Sequence, residues 1–168
     1  DDGLSREDAL AHCYLFDSKG LVTKARTDLV AHKQQFAVDA PDTASFLEAV
    51  KTLKPTAIIG VAGQPQTFTK EVLEEMAKLN ERPIIFALSN PTSKAECTAE
   101  QAYTATKGKA LFASGSPFDP VEYEGKTFVP RQGNNSYVFP ALGLGAVFSR
   151  SKWMPDGMFL VAAKVLAT

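Results

Sequence analysis

Short apolar runs alternate along the chain with segments whose apolar residues recur at helical spacing. The runs at 56–61, 84–88 and 110–113 are apolar on both alternating faces, which is typical of strands buried in a parallel sheet. Segments 43–54 and 69–79 place their apolar residues on one helical face. This order of strands and helices predicts an α/β fold with a doubly wound, mostly parallel, Rossmann-like sheet.

Local signals predict several further elements. Thr98 and Gln101 form the pattern of a capping box, which predicts a helix from Thr98 to about Thr106. The remaining predicted elements are a strand over 12–17 that ends in an acid, a hairpin around Glu124-Gly125, and helices over 137–149 and 156–167. The sequence has no internal repeat and no domain linker, so residues 1–168 are expected to form a single domain.

The composition fits a soluble domain with its own core and argues against several classes of partner. The chain has 168 residues, of which 45% are hydrophobic and 22% are charged. A net charge of -1, without a long run of one sign, argues against nucleic acid and against an anionic membrane surface. The apolar stretches are too short to span a membrane, and no secretory signal opens the chain. We therefore expect a soluble intracellular protein of the cytosol, a plastid or a mitochondrion.

The two cysteines and two histidines of the chain do not have the spacing of metal ligands. Cys13 and Cys97 lie far apart in the sequence and are expected to be buried, reduced thiols. Reduced thiols agree with a reducing compartment. The sequence therefore predicts no zinc site.

Polar or glycine-rich loops follow the predicted strands, at the edge of the sheet where ligands bind in this fold class. The loops contain Asp17, Gly60-Val61-Ala62-Gly63, Ser89-Asn90 and Ser114-Gly115-Ser116. Four such loops at one edge predict a binding site there. A further loop, Gln132-Gly133-Asn134-Asn135, precedes an apolar helix.

Each of these loops also has a purely structural interpretation. Asp17 can accept hydrogen bonds from an adenosine ribose or end a turn, and the Gly60–Gly63 loop can approach a ligand or form an ordinary turn. Asn90, held extended by Pro91, can project toward a ligand or form an Asx turn. Of the pair Asn134-Asn135, one is expected to cap the following helix and leave the other for a ligand.

Neutral amides suggest what such a ligand would be. A site built from Asn90 and the Asn134-Asn135 pair could hold a carboxylate and a carboxamide together without a charged side chain. An enzyme that uses nicotinamide on a small hydroxy acid needs such a site, provided that these asparagines converge on one crevice. The cations after Asp17 are Lys19, Lys24, Arg26 and Lys33. Most of these cations are expected to be solvated, but one could hold the 2′-phosphate of NADP.

Three segments of the chain resemble malic enzymes. They are residues 80–100, which include Ala87-Leu88-Ser89-Asn90-Pro91-Thr92, residues 112–121, which begin Phe112-Ala113-Ser114-Gly115-Ser116-Pro117, and residues 133–140, which begin Gly133-Asn134-Asn135-Ser136-Tyr137. Segments 16–21 and 54–61 also fit, so the resemblance covers essentially the whole chain. It corresponds to the C-terminal portion of the family's NAD(P)-binding domain, without the first strand and the glycine-rich turn.

The resemblance implies oxidative decarboxylation of L-malate to pyruvate and CO2, with NADP⁺ or NAD⁺ and with Mg²⁺ or Mn²⁺ in the complete enzyme. It implies that Asn90, Asn134 and Asn135 contact the substrate. The implied cofactor-binding residues are Asp17, Ser18, Lys33, Gly60, Val61, Ala62, Gly63, Ser89 and Asn90. Ser18 and Lys33 favour NADP, whereas a glutamine aligned in place of the lysine would favour NAD.

The family's catalytic acid and base and its acidic metal ligands lie upstream of the matching segments. No catalytic or metal-binding residue is therefore expected in this chain, and the isolated chain is expected to be inactive. The complete enzyme is expected to be a homo-oligomer. Two other interpretations stay open. One is a different α/β dehydrogenase half, which would lack the two asparagine loops in this order. The other is a non-catalytic dinucleotide-binding or oligomerisation module, which would account for the absent catalytic groups.

Overall fold

The computed structural model describes residues 3–168, which divide into a first unit that ends at Arg131 and a second unit from Gln132 to Thr168. The helices are α1 (Arg6–Ala11), α2 (Ala31–Gln34), α3 (Phe46–Leu53), α4 (Lys70–Leu79), α5 (Ala99–Ala105), α6 (Phe139–Phe148) and α7 (Asp156–Leu166). The strands are β1 (Phe16–Asp17), β2 (Gly20–Leu21), β3 (Ala57–Gly60), β4 (Ile84–Ala87), β5 (Leu111–Ser114), β6 (Val121–Tyr123), β7 (Lys126–Phe128) and β8 (Arg131–Gln132). Short 3-10 helices cover Thr92–Lys94 and Asn135–Tyr137.

The main sheet has the strand order β3-β4-β5-β8. Strands β3, β4 and β5 are parallel, and Gly60, Ala87 and Ser114 lie opposite one another in the register. The three strands therefore end at the same level. A parallel sheet with helices between its strands confirms the predicted α/β, Rossmann-like fold class.

The core of the first unit lies between the sheet and helices α3, α4 and α5. Helix α4 begins after Thr69, whose side chain accepts a hydrogen bond from the Val72 N–H group, and it buries Val72, Leu73 and Met76. Burial of each such side chain contributes roughly 2 kcal/mol. Helix α5 begins with the predicted capping box, in which Thr98 and Gln101 satisfy each other's backbone N–H groups. Local signals therefore located these two helices correctly.

The two faces of the sheet differ in exposure. Ile58, Ile85 and Phe112 are buried in the core, whereas Ile59 and Leu111 are exposed. Successive strand residues point to opposite faces, so Ile59 projects away from the core that Ile58 enters. The strands were expected to be buried on both faces. This expectation is confirmed for the face that meets the core and is wrong for Ile59 and Leu111 on the opposite face.

The predicted strand over 12–17 was wrong in length and in partner. Strand β1 covers Phe16–Asp17 and pairs antiparallel with β2, so that Asp17 lies outside the parallel sheet. The chain turns at Ser18 and Lys19, and Gly20, with φ +114°, begins β2, where a Cβ atom would lie 2.2 Å from the Thr43 carbonyl oxygen. A tight turn followed by this glycine, which the apolar pattern does not reveal, therefore diverts the segment into a hairpin.

The two cysteines differ in exposure, so their shared prediction was half wrong. Cys97 is buried as expected, whereas Cys13 precedes β1 and is exposed. Burial, followed by the charge of Glu96, raises the pKa of the Cys97 thiol to about 12. Within residues 3–168, no helix combines the length and the apolar character that crossing a membrane requires.

Candidate functional site

Three of the four predicted loops meet at one edge of the sheet, here called the carboxyl edge. They are 61–63 after β3, 88–90 after β4 and 115–116 after β5. Hydrogen bonds of the sheet continue into two of them, because Leu88 N–H donates to the Gly60 carbonyl at 2.9 Å and Gly115 N–H donates to the Ala87 carbonyl at 3.0 Å. The three loops therefore lie together at the carboxyl ends of the strands, where ligands usually bind in this fold class.

Asn90 is held by the neighbouring loop. Its Oδ1 atom accepts a hydrogen bond from Ser116 Oγ at 2.6 Å, and its Nδ2 atom donates a long one to the Leu88 carbonyl at 3.4 Å. A Cβ atom at Gly115 would lie 2.8 Å from Asn90 Nδ2, so glycine is needed for this approach. The exposed amide is thus oriented through its oxygen, and its NH2 group keeps capacity to donate to an anion.

Ser89 links two loops of the carboxyl edge and is only 6% exposed. Its Oγ atom accepts a hydrogen bond from the Gly63 N–H group at 2.8 Å and donates to a carboxyl oxygen of Glu96. A serine hydroxyl has one proton, and here it is engaged in the hydrogen bond to Glu96. Cofactor contact by Ser89 stays a prediction.

Glu96 was missed by sequence reasoning. It is 1% exposed, and it contacts Ser89 at the carboxyl edge. The available signal was an acid within Ala95-Glu96-Cys97, between residues that are otherwise suited to a core. A buried carboxyl group needs hydrogen-bond partners, and such partners are found most readily at a site rich in polar groups.

The Gly60–Gly63 loop combines packing with exposure. A Cβ atom at Gly60 would lie 2.3 Å from the Glu96 Cδ atom, so packing in the protein already requires this glycine. Val61 and Ala62 are exposed, and Gly63 has φ +66° with open space where a Cβ atom would stand. The backbone after Gly60 is therefore accessible to a ligand such as a dinucleotide.

Asp17 lies in the β1–β2 hairpin and not at the carboxyl edge, so the prediction of four loops at one edge was wrong for this residue. Among the described residues 3–168, four hydrogen bonds reach its carboxylate. The donors are Lys19 N at 3.0 Å, Arg26 Nη1 at 2.9 Å, Arg26 Nη2 at 3.3 Å and Lys33 Nζ at 2.5 Å. A carboxylate offers about four acceptor positions, so all of them are engaged.

Arg26 is the exception to the expectation that these cations are solvated, because its side chain is only 11% exposed. Its guanidinium group pairs with Asp17 and also with Asp28, where Nε donates to Oδ1 at 3.0 Å. Arg26, followed by Lys33, holds the pKa of the Asp17 carboxyl group well below its ordinary value. Asp17 is therefore an ionised acceptor that nearby cations have already neutralised.

The asparagine pair of the second unit divides as expected. Asn134 Oδ1 accepts a hydrogen bond from the Ser136 N–H group at 2.9 Å and so caps the short helix Asn135–Tyr137. Asn135 is exposed. Asn134 is therefore a capping residue, but of this 3-10 helix and not of the apolar helix α6, which begins after Val138 without a side-chain cap. Ligand contact by Asn135, and its convergence with Asn90, stay predictions.

Metal ligands and cavities are other features that can mark a functional site. Within residues 3–168, no three His, Cys, Asp or Glu side chains come together as a possible metal site. A cavity of about 790 Å³ is lined by residues of α4, α5 and β6, including Lys70, Glu74, Gln101 and Tyr123. It lies along helices and not at the ends of β3 and β4. A second cavity, of about 280 Å³, is lined by Lys24, Arg26, Leu29 and Gln34, among the cations that follow Asp17.

Comparisons with known proteins show the family to which the chain belongs. The family model described as malic enzyme, NAD binding domain, matches residues 1–168. NADP-dependent malic enzymes of Dictyostelium discoideum and Populus trichocarpa are both 55% identical, over 99% and 96% of this chain respectively. That of Mus musculus is 52% identical over 99% of the chain. The chain spans 31%, 27% and 29% of the lengths of these three relatives. The chain therefore belongs to the malic enzyme family and corresponds to sequence within its NAD-binding domain.

Proposed function

We propose that the complete protein catalyses the oxidative decarboxylation of L-malate to pyruvate and CO2 with reduction of NADP⁺. The observation that carries the proposal is the Asn90–Ser116 hydrogen bond, which orients a neutral amide at the carboxyl edge of a parallel sheet. Relatives that are 52–55% identical bear the name NADP-dependent malic enzyme, which supports the same reaction for this chain.

The residues of this chain bind and orient the reactants. The free donor of the Asn90 amide suits a malate carboxylate. In the second unit, Asn134 is engaged in capping, which leaves the Asn135 amide for the substrate contact that the family resemblance implies. The exposed backbone of 61–63 suits the dinucleotide, which when bound accepts the hydride from C2 of malate. Holding the hydroxy acid in one orientation is a positioning contribution to the rate.

The residues present do not fit the divalent cation that the family uses, since residues 3–168 contain no cluster of ligands for it. In this proposal, the metal ligands and the catalytic acid and base belong to the rest of the complete protein. Accordingly, the 168 residues alone should not turn over malate.

Steady-state assays with malate, Mn²⁺ and NADP⁺ test both statements. The complete enzyme should be active and the isolated chain inactive. In the complete enzyme, Asn90→Asp keeps the shape of the side chain but places a negative charge where a donor stood. Its kcat/KM for malate should fall by about a hundredfold. Turnover by the isolated chain, or an unchanged kcat/KM in the variant, would contradict the proposal. A substrate screen on the complete protein would reveal a different dehydrogenase.

The pairing of Asp17 supports the proposed preference for NADP. A ribose hydroxyl that donates to Asp17 must displace one existing donor, and Lys33, 30% exposed on a flexible stem, is the easiest to release. A 2′-phosphate next to the ribose, adjacent to Ser18 in this scheme, would then bind the released ammonium group. NAD has no such phosphate, so Lys33 would be displaced without a new partner.

Comparing kcat/KM for NADP and NAD in Lys33→Ala tests this preference in the complete enzyme. We expect the ratio of NADP to NAD to fall by about tenfold, which corresponds to a lost bond between charged groups. Lys24→Ala is the matched control, because Lys24 is exposed and follows the same hairpin. An unchanged ratio in Lys33→Ala would remove this residue from cofactor recognition.

A further inference from the structure

Glu96 is a buried acid whose two neighbours in the sequence are apolar and also buried. It is 1% exposed, and its neighbours Ala95 and Cys97 are also buried. Its side chain accepts a hydrogen bond from Ser89 Oγ and a second, at 3.4 Å, from the Ser89 N–H group. Because an apolar side chain would be easier to bury, the carboxyl group is best explained by what it does to Ser89.

Ser89 transmits this contact to the other loop. The Gly63 N–H group donates to Ser89 Oγ at 2.8 Å, and Ser89 Oγ donates to Glu96. Consecutive hydrogen bonds in a buried setting polarise one another, so the acceptor at the end of the chain strengthens the first bond. Two loops that are 26 residues apart in sequence are thereby tied together.

Glu96 also packs directly against the end of β3. A Cβ atom at Gly60 would lie 2.3 Å from Glu96 Cδ and 2.4 Å from Cγ. The backbone of Glu96 is fixed as well, since its carbonyl oxygen accepts a hydrogen bond from Phe68 N–H at 3.0 Å. One side chain therefore touches the start of the β3 loop and holds the middle of the β4 loop.

We propose that Glu96 is a positioning residue that sets the spacing between loops 60–63 and 89–90, acting through Ser89. It touches neither the dinucleotide nor malate. Ser89 in turn acts as a relay between Glu96 and Gly63 and not as a direct cofactor ligand. The inference rests on the proposed function, because it takes these loops to be the ones that hold the dinucleotide.

Kinetics of the complete enzyme test the functional half of the inference. Glu96→Ala and Ser89→Ala should each raise the KM for NADP about tenfold, as expected for one lost hydrogen bond to a charged group, and change kcat little. A merely structural role would reduce the amount of active enzyme, which lowers kcat and leaves KM unchanged. That second result, in both variants, would overturn the proposal.

Conservative variants sharpen the kinetic test. Glu96→Gln keeps an acceptor for the Ser89 hydroxyl but cannot accept from both Ser89 donors, so its KM should lie between those of wild type and Glu96→Ala. Glu100→Gln is the matched control, because Glu100 is an exposed acid four residues further on. Equal KM changes in Glu96→Gln and Glu100→Gln would contradict a specific role for Glu96.

Hydrogen exchange tests the relay without reference to activity. In the complete enzyme, the Gly63 amide should exchange faster in Ser89→Ala and in Glu96→Ala than in wild type or Glu100→Gln, as measured by mass spectrometry on peptides that cover Gly63. Unchanged exchange in Ser89→Ala would refute the relay even if the enzyme is active. If wild type fails to oxidise malate, the proposed function fails, whereas faster exchange still supports the relay.

Discussion

Helix α4 in the first unit and helix α6 in the second bury their apolar residues to very different degrees. Leu73 on α4 is 0% exposed, and Val72 and Met76 beside it are equally buried. Phe148 on α6 is 81% exposed, and Leu144 is 55% exposed. Both helices have ten residues, so length does not explain the difference.

The distribution of polar residues explains it. Helix α4 carries lysines and glutamates on one side, so a single neighbouring surface can cover its apolar face. Helix α6 contains no charged or hydrogen-bonding side chain, so it would need protein on every side to be buried. Several exposed apolar side chains on one helix, as here, are typical of interfaces. The loops of the carboxyl edge thus rest on a packed core, whereas Asn134 and Asn135 precede a helix without one.

A matched pair of leucine variants gives the largest expected effect. In the 168-residue chain, Leu73→Ala should lower the free energy of unfolding by about 3 kcal/mol, because it leaves a cavity in the core. Leu144→Ala should change it by less than about 0.5 kcal/mol, because this side chain is already exposed. Urea unfolding measures both. Equal losses would show that α6 is as well packed as α4.

An effect of intermediate size is expected from acid, through Asp17 in the first unit. The pKa of Asp17 lies below its ordinary 3.8, so the unfolded chain takes up this proton first as the pH falls. The stability that Asp17 contributes is therefore present above about pH 4 and lost below it. The free energy of unfolding of Asp17→Asn should be lower than that of wild type at pH 6, with the difference shrinking toward pH 3.

Urea unfolding of Asp17→Asn and of wild type across this pH range measures the difference. A constant difference between Asp17→Asn and wild type would show that the ion pairs with Arg26 and Lys33 contribute nothing that protonation removes.

The smallest effect is expected from thiol labelling, which measures how accessible the core of the first unit is to a reagent in solution. At pH 8, iodoacetamide should modify the exposed Cys13 and leave Cys97 unmodified, because burial raises the pKa of the Cys97 thiol to about 12. Mass spectrometry reads out both sites, and urea should make both reactive. Rapid labelling of Cys97 in the native chain would mean that the core around α5 opens readily.

Local patterns in the sequence determined most of the elements. The apolar faces and capping residues predicted α4 and α5, and the turn at Glu124-Gly125 predicted the hairpin of β6 and β7. These signals depend on residues within a few positions of one another, so the sequence displays them directly. It likewise placed Ser89 and Asn90 at the end of β4, because a strand and its following loop are contiguous.

Only the tertiary structure decided which polar groups pair. Arg26 reaches Asp17 across nine residues, and Ser89 joins Gly63 across 26 and Glu96 across seven. It also decided that β1 turns into a hairpin and that Cys13 stays exposed. Hydrogen-bond partners and burial depend on which segments the fold brings side by side. A periodic pattern along the chain does not show which distant segments become neighbours.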